Sequence, residues 1–191
     1  MITIVSGLPR SGTSLMMQVL EKSGMEILTD NVREADESNK CGYYEFEKVK
    51  KMMNDVSWVP QAEGKAVKVI VQLLDYLPDG FEYKVIFMER DYDEIVNSQS
   101  KMLDRLGPKK IKTDKAQLKK TFQKQVGDIK NRLQQKDNFL LINVSYGNLI
   151  FHPESEIEKM EAFFTTKFDR KTICSAIDPD LYRERKGVRD E

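Results

Sequence analysis

The sequence predicts an α/β domain built on a central parallel sheet with helices on both faces. Three observations carry the prediction. Short apolar runs of strand length alternate with longer amphipathic stretches of helical period. Glycine or proline breaks the pattern at several of the junctions. A glycine-rich turn joins the first apolar run to the first helical stretch. Strands separated by helices favour parallel pairing, because each return to the sheet needs a crossover.

Residues 2–6 are too short and too apolar for a surface helix and end at Gly7, so they read as a buried strand. Residues 13–24 place Leu15, Met16, Val19 and Leu20 on one helical face, closed by Gly24. Residues 25–44 are polar and irregular and read as a long loop, and 45–54 as a short helix. A second strand is expected over 66–71, a turn at Pro78-Asp79-Gly80, and a third strand over 83–89. The next helix opens with Asp91 as N-cap and Glu94 three residues later, an Asp version of the capping box, and stops at Gly107-Pro108. Residues 114–136 form a long helix with the stripe Leu118, Phe122, Val126, Ile129 and Leu133. A fourth strand follows at 139–144, then helices over 154–164 and 169–177. The 191 residues suit one domain, with 108–137 as a candidate helical insertion beside the sheet.

Thirty-one basic side chains balance thirty-one acidic ones. A general nucleic-acid or anionic-membrane binder would carry a basic excess, so those classes are disfavoured. Cys41 and Cys174 are too few and too far apart for a disulfide framework or a zinc cluster, and the single histidine, His152, leaves little for a metal site. No basic segment precedes the apolar run after Met1, and no stretch approaches bilayer length. The expectation is a cytoplasmic protein with no membrane span, no nucleic-acid partner and no metal.

The sharpest feature is Gly7-Leu8-Pro9-Arg10-Ser11-Gly12-Thr13-Ser14, between a strand and a helix. Glycines let the backbone turn tightly and approach an anion. Successive N–H groups then converge on a phosphate, and the helix N-terminus adds partial positive charge. A plain strand-turn-helix corner would also use Gly, Pro and Ser, but gives no reason for the central Arg10. The loop is of the P-loop type without being a Walker A motif: Thr13 stands where the lysine after Gly12 should be. A triphosphatase needs that lysine on the β- and γ-phosphates.

These residues resemble the sulfotransferase family. Pro9-Arg10-Ser11-Gly12-Thr13-Ser14 is similar to its 5′-phosphosulfate loop, in the arginine form of the tyrosylprotein and bacterial branches. The family also has an arginine ending a strand and a serine eight residues later, both on the 3′-phosphate; here these are Arg90 and Ser98. Val144-Ser145-Tyr146-Gly147-Asn148-Leu149 followed by Pro153 is similar to the family's Tyr-Glu-Asp-Leu segment. Cys41-Gly42-Tyr43-Tyr44-Glu45 and Asp178-Pro179-Asp180-Leu181-Tyr182-Arg183 resemble stretches of bacterial members, and Arg185-Lys186-Gly187 an Arg-Lys-Gly near the 3′-phosphate. The resemblance runs in order through nearly the whole chain, which is short for the family.

The resemblance implies a donor, 3′-phosphoadenylyl sulfate (PAPS), and a product, adenosine 3′,5′-bisphosphate. A sulfuryl group would pass to an acceptor hydroxyl or amine by in-line displacement, with no metal ion. Arg10 would meet the charge growing on the bridging oxygen. Pro9, Ser11, Gly12, Thr13 and Ser14 would hold the 5′-phosphosulfate, and Arg90, Ser98 and Arg185 the 3′-phosphate. Arg90 has a plainer reading as a surface partner of Glu89 or Asp91. The acceptor's base is expected to be a carboxylate of the first long loop: Glu34 by its spacing from Arg10, with Asp36, Glu45 and Glu47 as rivals. Trp58 reads as adenine stack or packing anchor, and Lys68 as phosphosulfate contact or strand-edge lysine. Two other classes compete: a nucleotide-binding module without catalysis, and a divergent kinase or NTPase. The acceptor's identity is open.

Overall fold

Four strands form one sheet, all parallel: β1 (Ile2–Gly7), β2 (Ala66–Lys68), β3 (Tyr83–Glu89) and β4 (Phe139–Ser145), in the order β2-β1-β3-β4. This is a computed structural model, and it describes residues 1–30, 32, 42–105, 114–179 and 182, the side chains of 103–105 apart. The helices are α1 (Thr13–Lys22), α2 (Tyr92–Arg105), α3 (Lys115–Gln134), α4 (Tyr146–Phe151), α5 (Pro153–Phe164) and α6 (Arg170–Cys174).

Alternation along the strands decides which helix covers which face. Ile2, Ile4, Val85 and Phe87 pack with Ile95 and Val96 of α2 and with Phe122, Val126, Ile129 and Leu133 of α3. Val5, Ile86, Met88 and Val144 point the other way, to Met16 and Leu20 of α1, Leu149 of α4, Ile157 and Met160 of α5, and Ile173 of α6. The two central strands are apolar on both faces, as a sheet covered on both sides requires. Full burial of each such Ile, Val or Phe contributes roughly 1.5–3 kcal/mol. The predicted α/β architecture, a P-loop-type three-layer domain, is therefore observed.

The strand order positions the site. From β1 the chain crosses through α1 to β2 on one side, then returns to β3 on the other side of β1. The crevice between the carboxyl ends of β1 and β3 is thus a topological switch point, where parallel α/β sheets bind ligands. Gly7 pairs with Met88, and Glu89 with Ser145, so the loops after β1, β3 and β4 leave the sheet at one level.

Local chemistry explains most element boundaries. Asp114 caps α3 by accepting from the Ala116 and Gln117 N–H groups, and Asp169 caps α6 likewise. Asp91 accepts from the Asp93 and Glu94 N–H groups at the start of α2. The expected helix over 45–54 is instead a 3-10 helix at Glu47–Lys51, with Phe46, Val49 and Met52 buried at the spacing of three that its tighter turn brings to one side. The expected strand over 66–71 stops at Lys68, and a 3-10 helix begins at Val71. Helix α4 was not expected. Its start is a Ser145 N-cap accepting from the Asn148 N–H, immediately after the expected strand end at residue 144. No described helix is long and apolar enough to cross a membrane.

Candidate functional site: the phosphate loop and the strand-end arginine

The loop between β1 and α1 has a backbone few sequences could adopt. Arg10 has φ 74° and Gly12 φ 99°, both in the left-handed region. An arginine there costs of order 1–3 kcal/mol. Gly12 could not be replaced without strain, because an added Cβ would run into the Tyr146 ring. No side chain caps α1; its N-cap is Gly12 itself. The first-turn N–H groups of α1 thus meet the loop without a capping side chain, the arrangement of an anion cradle.

The Ser11 hydroxyl is buried, 1% exposed, and has no hydrogen-bond partner. A buried unsatisfied hydroxyl costs about 1–3 kcal/mol, and Ser11 shares that condition with the Ser6 hydroxyl on β1 and the Trp58 indole N–H. The Ser11 N–H itself donates to the Leu8 carbonyl (3.1 Å), which fixes the loop's turn. Pro9 is half-buried on the same turn.

The two motifs separated by eighty residues meet here. Arg10 Nε donates to Ser98 Oγ at 3.0 Å, and Arg90 Nη1 donates to the Arg10 carbonyl at 3.1 Å. Ser98 is buried on α2 and Arg90 follows the last residue of β3. Both arginines therefore sit at the switch point, on opposite sides of the crevice.

The Arg90 environment adds a buried partner to the plainer expectation of pairing with Glu89 or Asp91. Glu89 pairs with Lys130, and Arg90 Nε binds Glu94 Oε2 at 2.9 Å, with both side chains 7% exposed. Glu94 therefore contributes more than a capping box would ask of it: one turn after Arg90, it supplies the counter-charge. The guanidinium lies 4.6 Å from the Tyr146 ring centre and 4.9 Å from that of Tyr182, distances typical of cation–π contact.

Lys68 ends β2 next to the loop. Its Nζ donates to Ser14 Oγ at 3.3 Å and to the Tyr43 carbonyl at 3.0 Å. The alternative of an ordinary strand-edge lysine does not describe this: the ammonium points at the first turn of α1. Thr13 and Ser14 are the first two residues of that helix. Beside Arg90 a cavity of about 490 Å3 opens between the sheet, α2 and α3, lined among others by Leu8, Phe87, Ile95, Lys119 and Ser145.

Other sequence expectations are placed elsewhere. Glu34, Asp36 and Arg185 lie outside the described residues, as does Cys41. Glu45 and Glu47 both pair with Lys50. Trp58 is fully buried and packs edge-on against Phe46 at 5.8 Å, so it is a core anchor and not a stacking surface. His152 is exposed at the junction of α4 and α5. Sequence reasoning passed over Glu94 and the ring of Tyr146 as site residues. The spacing of four between Arg90 and Glu94 on a helix start was the available signal; that Tyr146 packs on Gly12 had none.

No family model matches the chain, and no curated protein matches it. Solved structures do. The sulfotransferase domain of the Synechococcus PCC 7002 olefin synthase superposes with a TM-score of 0.61 at 15% identity, covering 97% of this chain and 88% of that one. The sulfotransferase domain from the curacin biosynthetic pathway gives 0.53 at 14% identity, covering 98% and 92%. Sulfotransferase STF9 from Mycobacterium avium gives 0.57 at 10% identity, covering 97% and 69%. This chain has the sulfotransferase fold.

Proposed function

We propose that the protein is a PAPS-dependent sulfotransferase. It would transfer a sulfuryl group to an acceptor hydroxyl or amine and release adenosine 3′,5′-bisphosphate. The observation that carries the reading is the meeting of the two phosphate motifs: Arg10 on Ser98, and Arg90 on the Arg10 carbonyl. A nucleotide with phosphates at both the 5′ and 3′ positions needs two sets of anion-binding groups, and the loop after β1 and the β3–α2 junction would provide one set each. The orphaned Ser11 hydroxyl fits the first.

In the transfer, the bond from sulfur to the bridging oxygen breaks as a bond from sulfur to the acceptor forms. The electron pair stays on the bridging oxygen. Arg10 and the N–H groups at the start of α1 stabilise that charge without reorganising, since the loop already holds them. Lys68, donating to Ser14, adds a second cation beside the first turn of α1. The Ser98 hydroxyl keeps Arg10 Nε engaged until a phosphosulfate competes for it. The acceptor proton goes to a carboxylate, for which Glu34 is our candidate. The charge is managed by fixed dipoles and cations of this chain, and no metal ion enters the scheme.

Calorimetric titration tests the reading. Wild type should bind adenosine 3′,5′-bisphosphate in preference to ATP with magnesium. Arg90→Lys, which keeps the charge but loses the planar fork, should weaken the bisphosphate about tenfold. Magnesium-dependent ATP binding with no preference for the 3′-phosphate would overturn it in favour of an NTPase. Binding without turnover of PAPS against any acceptor screened would leave a nucleotide-binding module.

A further inference from the structure

Tyr182 stands far along the chain from Arg90, yet it is built into the arginine's surroundings. Its hydroxyl donates to Glu94 Oε2 at 2.7 Å, the same oxygen that accepts from Arg90 Nε. Its ring lies against the Arg90 guanidinium and meets Tyr146 edge-on at 4.9 Å. The Phe151 ring of α4 also packs against it, with centroids 5.5 Å apart. Burial and the Glu94 hydrogen bond push its phenol up to about 12, so it remains a donor at neutral pH.

Two physical consequences follow. Arg90 is tied at its edge to Glu94 and to the Arg10 carbonyl, and rings against its face restrict tilting about those contacts. A carboxylate oxygen that also accepts from a phenol gives less of its charge to the arginine, which leaves the guanidinium more attractive to a phosphate. Both effects concern the guanidinium of the strand-end arginine, whose contact with the Arg10 side of the crevice is to a backbone carbonyl.

We infer that Tyr182 is a positioning residue for Arg90, and that its docking on the Arg90–Glu94 pair sets the preference of the nucleotide site for a 3′-phosphate. The inference rests on the nucleotide reading above. It makes occupancy of the 3′-phosphate site and docking of Tyr182 mutually reinforcing, as linkage requires.

The test is a ratio. Wild type, Tyr182→Phe and Tyr182→Leu are each titrated with adenosine 3′,5′-bisphosphate and with adenosine 5′-monophosphate, and thermal unfolding checks that each variant is folded. Tyr182→Phe removes the hydroxyl and keeps the ring; Tyr182→Leu keeps only an apolar filler. Bisphosphate affinity should fall about fivefold in the first and more than tenfold in the second, with the monophosphate unchanged. An unchanged ratio, or an equal loss for both ligands as a merely structural role would give, overturns the inference. A wild type with no preference for the bisphosphate would instead bring down the nucleotide reading, and this inference with it.

Discussion

Two corners of the molecule each hold a buried carboxylate among cations, and they are finished differently. At the α5–α6 corner, Glu161 accepts from Lys167 (3.0 Å), Arg170 (2.6 Å) and the Phe168 N–H (3.1 Å). Those contacts hold its carboxyl down to about 2. The cations come from the exposed side, and each carboxylate oxygen is used. At the switch point, Glu94 pairs with an arginine that is itself buried, beside a left-handed Arg10 and an orphaned Ser11 hydroxyl. The first corner ties two helices together. The second keeps strain and an unmet hydrogen bond at the one place where the topology also predicts a ligand.

The contrast can be broken by mutation. Arg90→Ala leaves Glu94 buried without its counter-charge and should cost about 3–5 kcal/mol in urea unfolding. Arg170→Ala should barely move the midpoint, because Lys167 and the Phe168 N–H remain and the arginine was solvated. Equal losses would erase the distinction. Gly12→Ala comes next: the left-handed backbone and the Tyr146 ring oppose it, for a loss of about 2–3 kcal/mol together with bisphosphate binding. A variant as stable as wild type would show that the loop relaxes freely.

Ser11→Ala sharpens the comparison from the other side. Removing an unsatisfied buried hydroxyl should leave the unliganded protein unchanged or more stable by up to about 1 kcal/mol, while bisphosphate affinity falls several-fold. Destabilisation without loss of affinity would make Ser11 structural. The smallest effect is at Glu161. Its carboxyl is depressed in the folded state, from 4.5 to about 2. Its stabilisation is therefore present above pH 4.5 and lost as the pH falls toward 2. Glu161→Gln should flatten that acid limb and leave nucleotide binding at neutral pH alone; an unaltered acid limb would contradict the assignment.

Much of this was legible in the chain. The strand-to-helix turn after β1 announced itself because glycine, arginine and hydroxyl residues occupy it, and Arg90 because it ends an apolar strand. What was not legible depends on distant partners. Val69 continues an apolar run, but β2 ends at Lys68, where its ammonium turns to Ser14 and Tyr43. Helix α4 is only six residues long, too short for periodicity to register, and the sequence assigns no element between the fourth strand and the helix at 154. Trp58 is sealed in the core by Phe46, a contact only the folded chain reveals. Tyr182 and Glu94 meet across 88 positions, which no local pattern encodes.

The central claim is that one nucleotide spans both anion sites of the crevice. Phosphorus NMR of bound adenosine 3′,5′-bisphosphate tests it most directly, since the two phosphates give separate resonances. Both should shift on binding; Ser11→Ala should then alter the 5′ resonance alone, and Arg90→Lys chiefly the 3′ resonance. If only one resonance moves in wild type, or both variants disturb the same phosphate, the crevice does not hold the nucleotide in the way described.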